Sequence, residues 1–300
     1  MSTSAERSAG PDRWGRSRAV SAKVPPSWPL QFPLPGGTGE RFDLLSRVVE
    51  QEVIPRLVLA RGSGAIAAPA LAADRECSFD TGAVREFAGL VVARSAASVC
   101  SHVDTLRARG ATLEALYLRL FAPAARWLGE LWEEDRADFT EVTVGLLRLM
   151  QVLHEVGPAF RDEAAQPAHG RRALLLPAPG DQHTFGLAMV SDFFRRAGWT
   201  VWNPPAASAG DLARLVRRER FAVVGFSVSC ERWLDVAAAA IRAIRDASCN
   251  PGIGIMVGGP LFAQHPELVA RVGADATASD GRQAVLQAQG LLTQVAKQRR

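Results

Sequence analysis

Apolar positions change their period twice along this chain, and each change marks a different architecture. In "RFDLLSRVVEQEVIPRLVLARG" the residues Phe42, Leu44, Leu45, Val48, Val49, Val53, Ile54 and Leu57 recur at helical spacing, and Pro55 ends or kinks that helix. A Gly/Ala-rich stretch over 62–73 follows and reads as a linker. Residues 79–160 then read as helix throughout. "SFDTGAVREFAGLVVARS" offers Asp80 or Thr81 as an N-cap, and "AASVCSHVDTLRARG" ends at Gly110 as a C-cap signal. "TLEALYLRLFAPAARWLGELWEED" carries Leu113, Leu116, Leu118, Leu120, Trp127, Leu128, Leu131 and Trp132, and Pro123 is expected to interrupt it. "DFTEVTVGLLRLMQVLHEVGPAF" completes four amphipathic segments with short connections, the pattern of an antiparallel helical bundle.

Beyond the polar connector "RDEAAQPAHGRR" the texture becomes apolar runs of strand length alternating with helices. The strands are "RALLLPAP", "TVWNPP", "FAVVGFSVS", "GIGIMVGG" and "ADATAS", with helices at about 184–198, 209–219, 231–247, 264–272 and 281–297. This alternation predicts an α/β fold in which a four-helix-bundle cap precedes a flavodoxin-like, Rossmann-type sheet of five parallel strands. The expected organisation is a Pro-rich basic arm over 1–40, a helix over 41–62, a cap over 75–165 and an α/β domain over 170–298.

Composition narrows the class. In 300 residues, 48% hydrophobic and 22% charged, there is material for two cores. No apolar run reaches the ~18 residues that span a bilayer and the start lacks an apolar signal core, so no membrane contact and a cytoplasmic location are expected. Residues 1–40 hold too few apolar anchors to offset chain entropy. Their charges Arg13, Arg16, Arg18 and Lys23 suit a solvated tail, with contact to a phosphate backbone or acidic partner as the other reading. The net charge of +4 comes without a basic recognition helix, so any DNA contact is expected to be indirect or weak. Cys77, Cys100, Cys230 and Cys249 have no metal or disulfide spacing and read as reduced, mostly buried thiols.

In an open parallel sheet, ligands bind beyond the carboxyl ends of the strands. That rule selects "GDQHTFG" with Asp181, His183 and Gly186, "SVS" with Ser227 and Ser229, and "VGG" with Gly258 and Gly259. Asp181 is close enough to hold one ring nitrogen of His183, a carboxylate position that fixes the tautomer of a metal-ligating imidazole. A single histidine without further ligands suits a metal already held by a macrocycle, and paired glycines suit the close passage of a bulky group. Each piece has a plainer reading: Asp181 as a helix N-cap, His183 as a helix-start residue, and the glycine pair as a turn.

Taken together, Asp181-x-His183-x-x-Gly186, Ser227-x-Ser229 and Gly258-Gly259 resemble the cobalamin-binding domain of methionine synthase and its relatives. The resemblance implies base-off binding, with His183 as the lower axial ligand to cobalt, Asp181 tuning it, and the nucleotide tail passing Ser227 and the glycine pair. "LYLRLFAPAARWLGELWEEDRADFTEVT" resembles the helical cap of methionine synthase and of the light-sensing repressor CarH, with Trp132 matching the tryptophan over the upper corrin face. The spacing of Trp127, Leu131 and Trp132 also fits a bundle-core aromatic. CarH follows its tryptophan with a Glu-His pair, whereas the matching positions here are Val142 and Thr143. His102 and His154 read as core or boundary histidines, and Glu133 and Glu134 as a solvated helix end.

The "VVEQEVIPRLVLAR" segment resembles the one found in the AerR/PpaA regulators of purple photosynthetic bacteria and in the related domain of AppA, a resemblance that covers about 40–295, and the basic arm favours a regulator over a carrier. That resemblance implies a light- and cobalamin-dependent antirepressor acting through a repressor of PpsR/CrtJ type, with hydroxo-, adenosyl- or methylcobalamin as cofactor and no catalytic residues. Two alternatives keep the fold: a corrinoid carrier subunit of a methyltransferase system, and a haem sensor using His183.

Overall fold

The computed structural model describes residues 79–204 and 207–298, the last four of them as backbone only. The arm over 1–40, the helix over 41–62, the linker over 62–73, Cys77 and the start of the cap lie outside the described residues.

Four helices form the cap. Helix α1, Thr81–Ala93, begins where Asp80 accepts the Ala83 amide at 2.7 Å, and α2, Ala96–Ala108, ends before Gly110 at φ 99°. Helix α3 runs through Leu113–Leu116, a π-helical turn Tyr117–Phe121, and Ala122–Glu133. Pro123 does not break it. The Ala122 amide reaches back five residues to the Tyr117 carbonyl, and this wide turn takes up the misfit that proline creates against the preceding turn. Helix α4, Phe139–Glu163, starts with a reciprocal capping box between Asp138 and Glu141 and carries Pro158 within it.

The α/β part consists of β1 Arg172–Pro177, α5 Phe185–Arg196, β2 Thr200–Trp202, α6 Ala209–Arg218, β3 Val223–Ser227, and α7 Leu234–Ala247 preceded by a 3₁₀ turn Glu231–Trp233. It continues through β4 Gly254–Gly258, α8 Pro260–Gln264, α9 Leu268–Val272, β5 Ala276–Ala278 and α10 Gly281–Gln298. The single helix expected at 264–272 is two short ones, separated where Pro266 denies the backbone an amide donor.

All strands are parallel in the order β2-β1-β3-β4-β5, which is the flavodoxin-like winding. The central strands are buried on both faces, so their apolar runs are continuous. Alternate residues nevertheless serve two cores. Leu174, Leu176, Val224, Phe226, Ile255 and Val257 face the core built with α6 and α7. Ala173, Leu175, Val223 and Met256 face the other, which continues through Phe193 and Phe194 into the cap.

A polar knot ties the cap to this second core. Tyr117 Oη donates to Asp192 Oδ2 at 3.0 Å, and Arg161 Nη1 donates to Asp192 Oδ1 at 2.7 Å. Tyr117 also stacks on Phe160 at 4.1 Å, and Phe160 meets Phe193 edge-on at 4.8 Å. Burial raises the Tyr117 hydroxyl above its ordinary range, and the Asp192 charge beside it adds to the effect, so the phenol stays protonated and donates. Glu114 receives Arg196 at 2.8 Å nearby. No described helix is long and apolar enough to cross a membrane.

The cysteines differ from the expectation of buried thiols. Cys230 and Cys249 are exposed and Cys100 is half-buried, because two of them lie in connections at strand or helix ends rather than on core faces.

Tyr117→Phe keeps the ring stack but strips one donor from the Asp192 carboxylate, a hydrogen bond to a charged group. It is expected to lower unfolding stability by about 2 kcal/mol, read from the denaturant midpoint at unchanged slope.

Candidate functional site

The carboxyl ends of four strands fall on one register row. Pro177 pairs with Ser227, Ser227 with Gly258, and Gly258 with Ala278. The loops that leave this row are those expected to carry the site. The loop after β1 is closed by the Asp181 amide donating to the Ala178 carbonyl at 2.8 Å, and Ala178 in turn donates to the Ser227 carbonyl at 2.8 Å. Asp181 is therefore turned inward beneath His183.

Asp181 is 5% exposed, and its carboxylate is shared between two loops. Oδ1 takes His183 Nδ1 at 2.7 Å and the His183 amide at 3.1 Å, while Oδ2 takes the Ser229 amide at 2.8 Å. Burial pushes this carboxyl up, and the hydrogen bonds from His183 and Ser229 outweigh it, holding the group below its ordinary range. With an ionised acceptor at Nδ1, that nitrogen carries the proton. Nε2 then presents its lone pair on a ring that is 66% exposed.

The hydrogen bond to Asp181 raises His183 above its ordinary range against the desolvation that lowers it, and the Asp181 charge adds to the rise. Two more distant charges also act on the ring. Arg232, after β3, lowers it, and Glu133, in the last turn of α3, raises it. The end of the cap helix thus lies within electrostatic reach of His183.

Asp181 does not cap the following helix. Thr184 occupies the N-cap position of α5, without a side-chain bond, and Gly186 sits in the first turn. Open space surrounds the position where a Cβ at Gly186 would stand, and at Gly258 the nearest atom to such a Cβ is the Ala278 carbonyl oxygen at 3.6 Å. These two positions leave room beside the His183 loop. Gly259 has a different reason. Its φ is 122° and a Cβ would come within 2.2 Å of the Val228 carbonyl oxygen, so the chain's own backbone demands glycine there.

Ser227 ends β3, and its carbonyl accepts from Ala178. Ser229 contributes its backbone amide to Asp181, whereas its hydroxyl lies beside the Cys230 sulfur at 3.7 Å. Trp132 is half-buried and packs on the cap core next to Glu133. Val142 is buried in the cap and Thr143 is half-buried. His102 is half-buried against Phe87, with ring centroids 6.1 Å apart, and His154 is on the surface. Glu134 pairs with Arg136 at 3.0 Å in solvent, as a helix end does.

The sequence reading missed Gly180, Arg232 and Trp233, whereas Glu133 is exposed at a helix end as expected. Gly180 stands immediately before Asp181, and Arg232-Trp233 begin three positions after Ser229, so position alone was the available signal.

The family model of the B12 binding domain matches residues 171–288. An uncharacterized 20.5 kDa protein from the bchF-crtJ intergenic region of Rhodobacter capsulatus is 30% identical over 178 residues, covering 59% of this chain and 92% of that protein. This chain belongs to the B12-binding-domain family. Its α/β fold is similar to that of the Methanosarcina barkeri monomethylamine corrinoid protein, with a TM-score of 0.57 at 14% identity over 69% of this chain and 96% of that one.

The cofactor of the domain is therefore cobalamin, and the residues fit such a group. A fixed tautomer leaves one imidazole nitrogen available at the sheet edge. Among the described residues no side chain comes within 4 Å of where a Cβ at Gly186 or Gly258 would stand. Among the described residues no cluster of three or more His, Cys, Asp or Glu is arranged to hold a bare ion.

Asp181→Asn offers one acceptor oxygen where three donors now converge on two. It is expected to weaken cobalamin retention by roughly 10- to 100-fold, measured by equilibrium dialysis. Gly259→Ala is expected to cost more than about 2 kcal/mol of folding stability, measured by denaturation of the cofactor-free chain.

Proposed function

We propose that this protein is a cobalamin-dependent, light-responsive antirepressor that acts through a transcriptional repressor of PpsR/CrtJ type. The observation that carries this reading is the family relative from the bchF-crtJ region of Rhodobacter capsulatus, a photosynthesis gene cluster, of which the alignment covers 92%. The site supports it with a histidine suited to the lower axial position of cobalt. Asp181 holds the His183 ring, Ser229 holds Asp181, and the two glycine positions leave room for the corrinoid and its tail.

A switch needs two states that differ in their contacts. Trp132 is half-buried and Glu133 exposed at the end of the cap helix whose charge acts on His183, and the opposite end of that helix is tied down by Tyr117. Trp132, half-buried at that free end, is the cap residue that would pack over a cofactor held between cap and sheet and would respond to a change in it. Cap and sheet would then offer the repressor two different surfaces.

The test is an absorption spectrum of the full chain with hydroxo-, adenosyl- and methylcobalamin, dark and illuminated, beside repressor occupancy of operator DNA under the same conditions. Corrin bands that change with light, together with lowered occupancy in one state only, support the reading. Light-independent spectra with methyl transfer to a partner enzyme would make the protein a corrinoid carrier, and a Soret band would make it a haem protein. His183→Ala is expected to stay folded and lose cobalamin retention, and Trp132→Ala to keep the cofactor while changing the light response.

A further inference from the structure

We propose that Trp233 is a positioning residue for His183: its indole ring, seated on the α-carbon of Gly180, fixes the turn that aims the imidazole at cobalt. The inference rests on the reading of His183 as the axial ligand.

Gly180 is the third residue of the turn Ala178–Asp181 that leads into His183, and its φ is 90°, in the left-handed region. A Cβ there would stand 2.7 Å from Cζ3 and 2.8 Å from Cη2 of Trp233. The six-membered edge of the indole therefore lies against backbone at this point. No side chain stands between the ring and the loop.

Trp233 reaches Gly180 from the loop after β3, which holds the histidine loop at a second point. The Ser229 amide of that loop bonds Asp181 at 2.8 Å, and the 3₁₀ turn Glu231–Trp233, closed by the Trp233 amide on the Cys230 carbonyl at 3.1 Å, brings the ring back over Gly180. One loop thus grips consecutive residues, Asp181 by a hydrogen bond and Gly180 by ring contact.

The ring itself is fixed. It packs on the core shared with α6 and α7, and the Arg232 guanidinium lies 4.6 Å from its centroid. Its Nε1–H is buried without an acceptor among the described residues. Phenylalanine or leucine would avoid that cost, so what tryptophan adds at this position is reach across Gly180. An imidazole that is two-thirds exposed has few contacts of its own, and its aim depends on the backbone beneath it.

The experiment uses the full chain with ¹⁵N-labelled histidine, loaded with cobalamin and reduced to the cobalt(II) state. Electron paramagnetic resonance then reads ¹⁵N coupling from a protein histidine and ¹⁴N coupling from the cofactor's own base. The wild-type chain is expected to show ¹⁵N coupling, and Trp233→Phe, whose shorter ring falls short of the indole edge seated on Gly180, to show it in part. Trp233→Ala is expected to stay loaded at saturating cobalamin, with affinity reduced about tenfold, and to lose most of that coupling. Gly180→Ala, which drives a methyl into the ring, is expected to lose it too and serves if Trp233→Ala fails to fold. Full ¹⁵N coupling with unchanged affinity in either variant overturns the proposal and leaves His183 as the ligand. Absence of ¹⁵N coupling in the wild-type chain overturns the axial reading and the proposal with it.

Discussion

A carboxylate buried at the mouth of a parallel sheet is costly unless donors surround it, and Asp181 is surrounded. Two amides and one imidazole nitrogen converge on its two oxygens, from two loops that are neighbours only because β1 and β3 are adjacent in the sheet. The same row of the sheet aligns Pro177, Ser227 and Gly258. If the register of β1 against β3 slipped by one residue, the Ser229 amide would miss Asp181, and every core residue of the strand would change face. The fold is in this sense constrained by the same bonds that set the histidine.

The cap obeys a second buried carboxylate, Asp192, at a distance from the first. Tyr117 and Arg161 reach it from two cap helices, and no apolar residue of similar size could hold both. Tyr117 and Trp132 are fifteen residues apart on α3, roughly 22 Å along its axis. One end of the helix is therefore locked by charge and stacking. The other ends half-buried, in a turn whose carboxylate is felt at His183.

Periodicity made the architecture legible. The strands carry continuous apolar runs because both faces are covered, and the cap helices carry stripes, so the two parts could be told apart without any motif. The site was legible through order along the chain, since the winding of a parallel sheet brings the loops after β1, β3 and β4 to one edge. What could not be read was anything decided by contact across loops. Trp233 against Gly180 is such a case, as is the π-helical turn that carries Pro123 through α3. The pattern of residue types is silent about which of two adjacent glycines serves a neighbour. Gly259 answers to Val228, and Gly258 has room to spare.

That division of the glycine pair changes how the motif should be used. A Gly-Gly after a strand signals a ligand only if neither residue is already required by the chain, and here one of them is. The stronger signal is the aspartate two residues before the histidine, because burying a charge that close to solvent makes sense only when its donors do something that water could not. Water would satisfy Asp181 equally well, but it would leave His183 free to rotate and to exchange its proton between the two nitrogens. Enclosing the carboxylate removes that freedom. The cost of burying Asp181 is thus a cost of orientation, and it is met on a ring that otherwise faces open space.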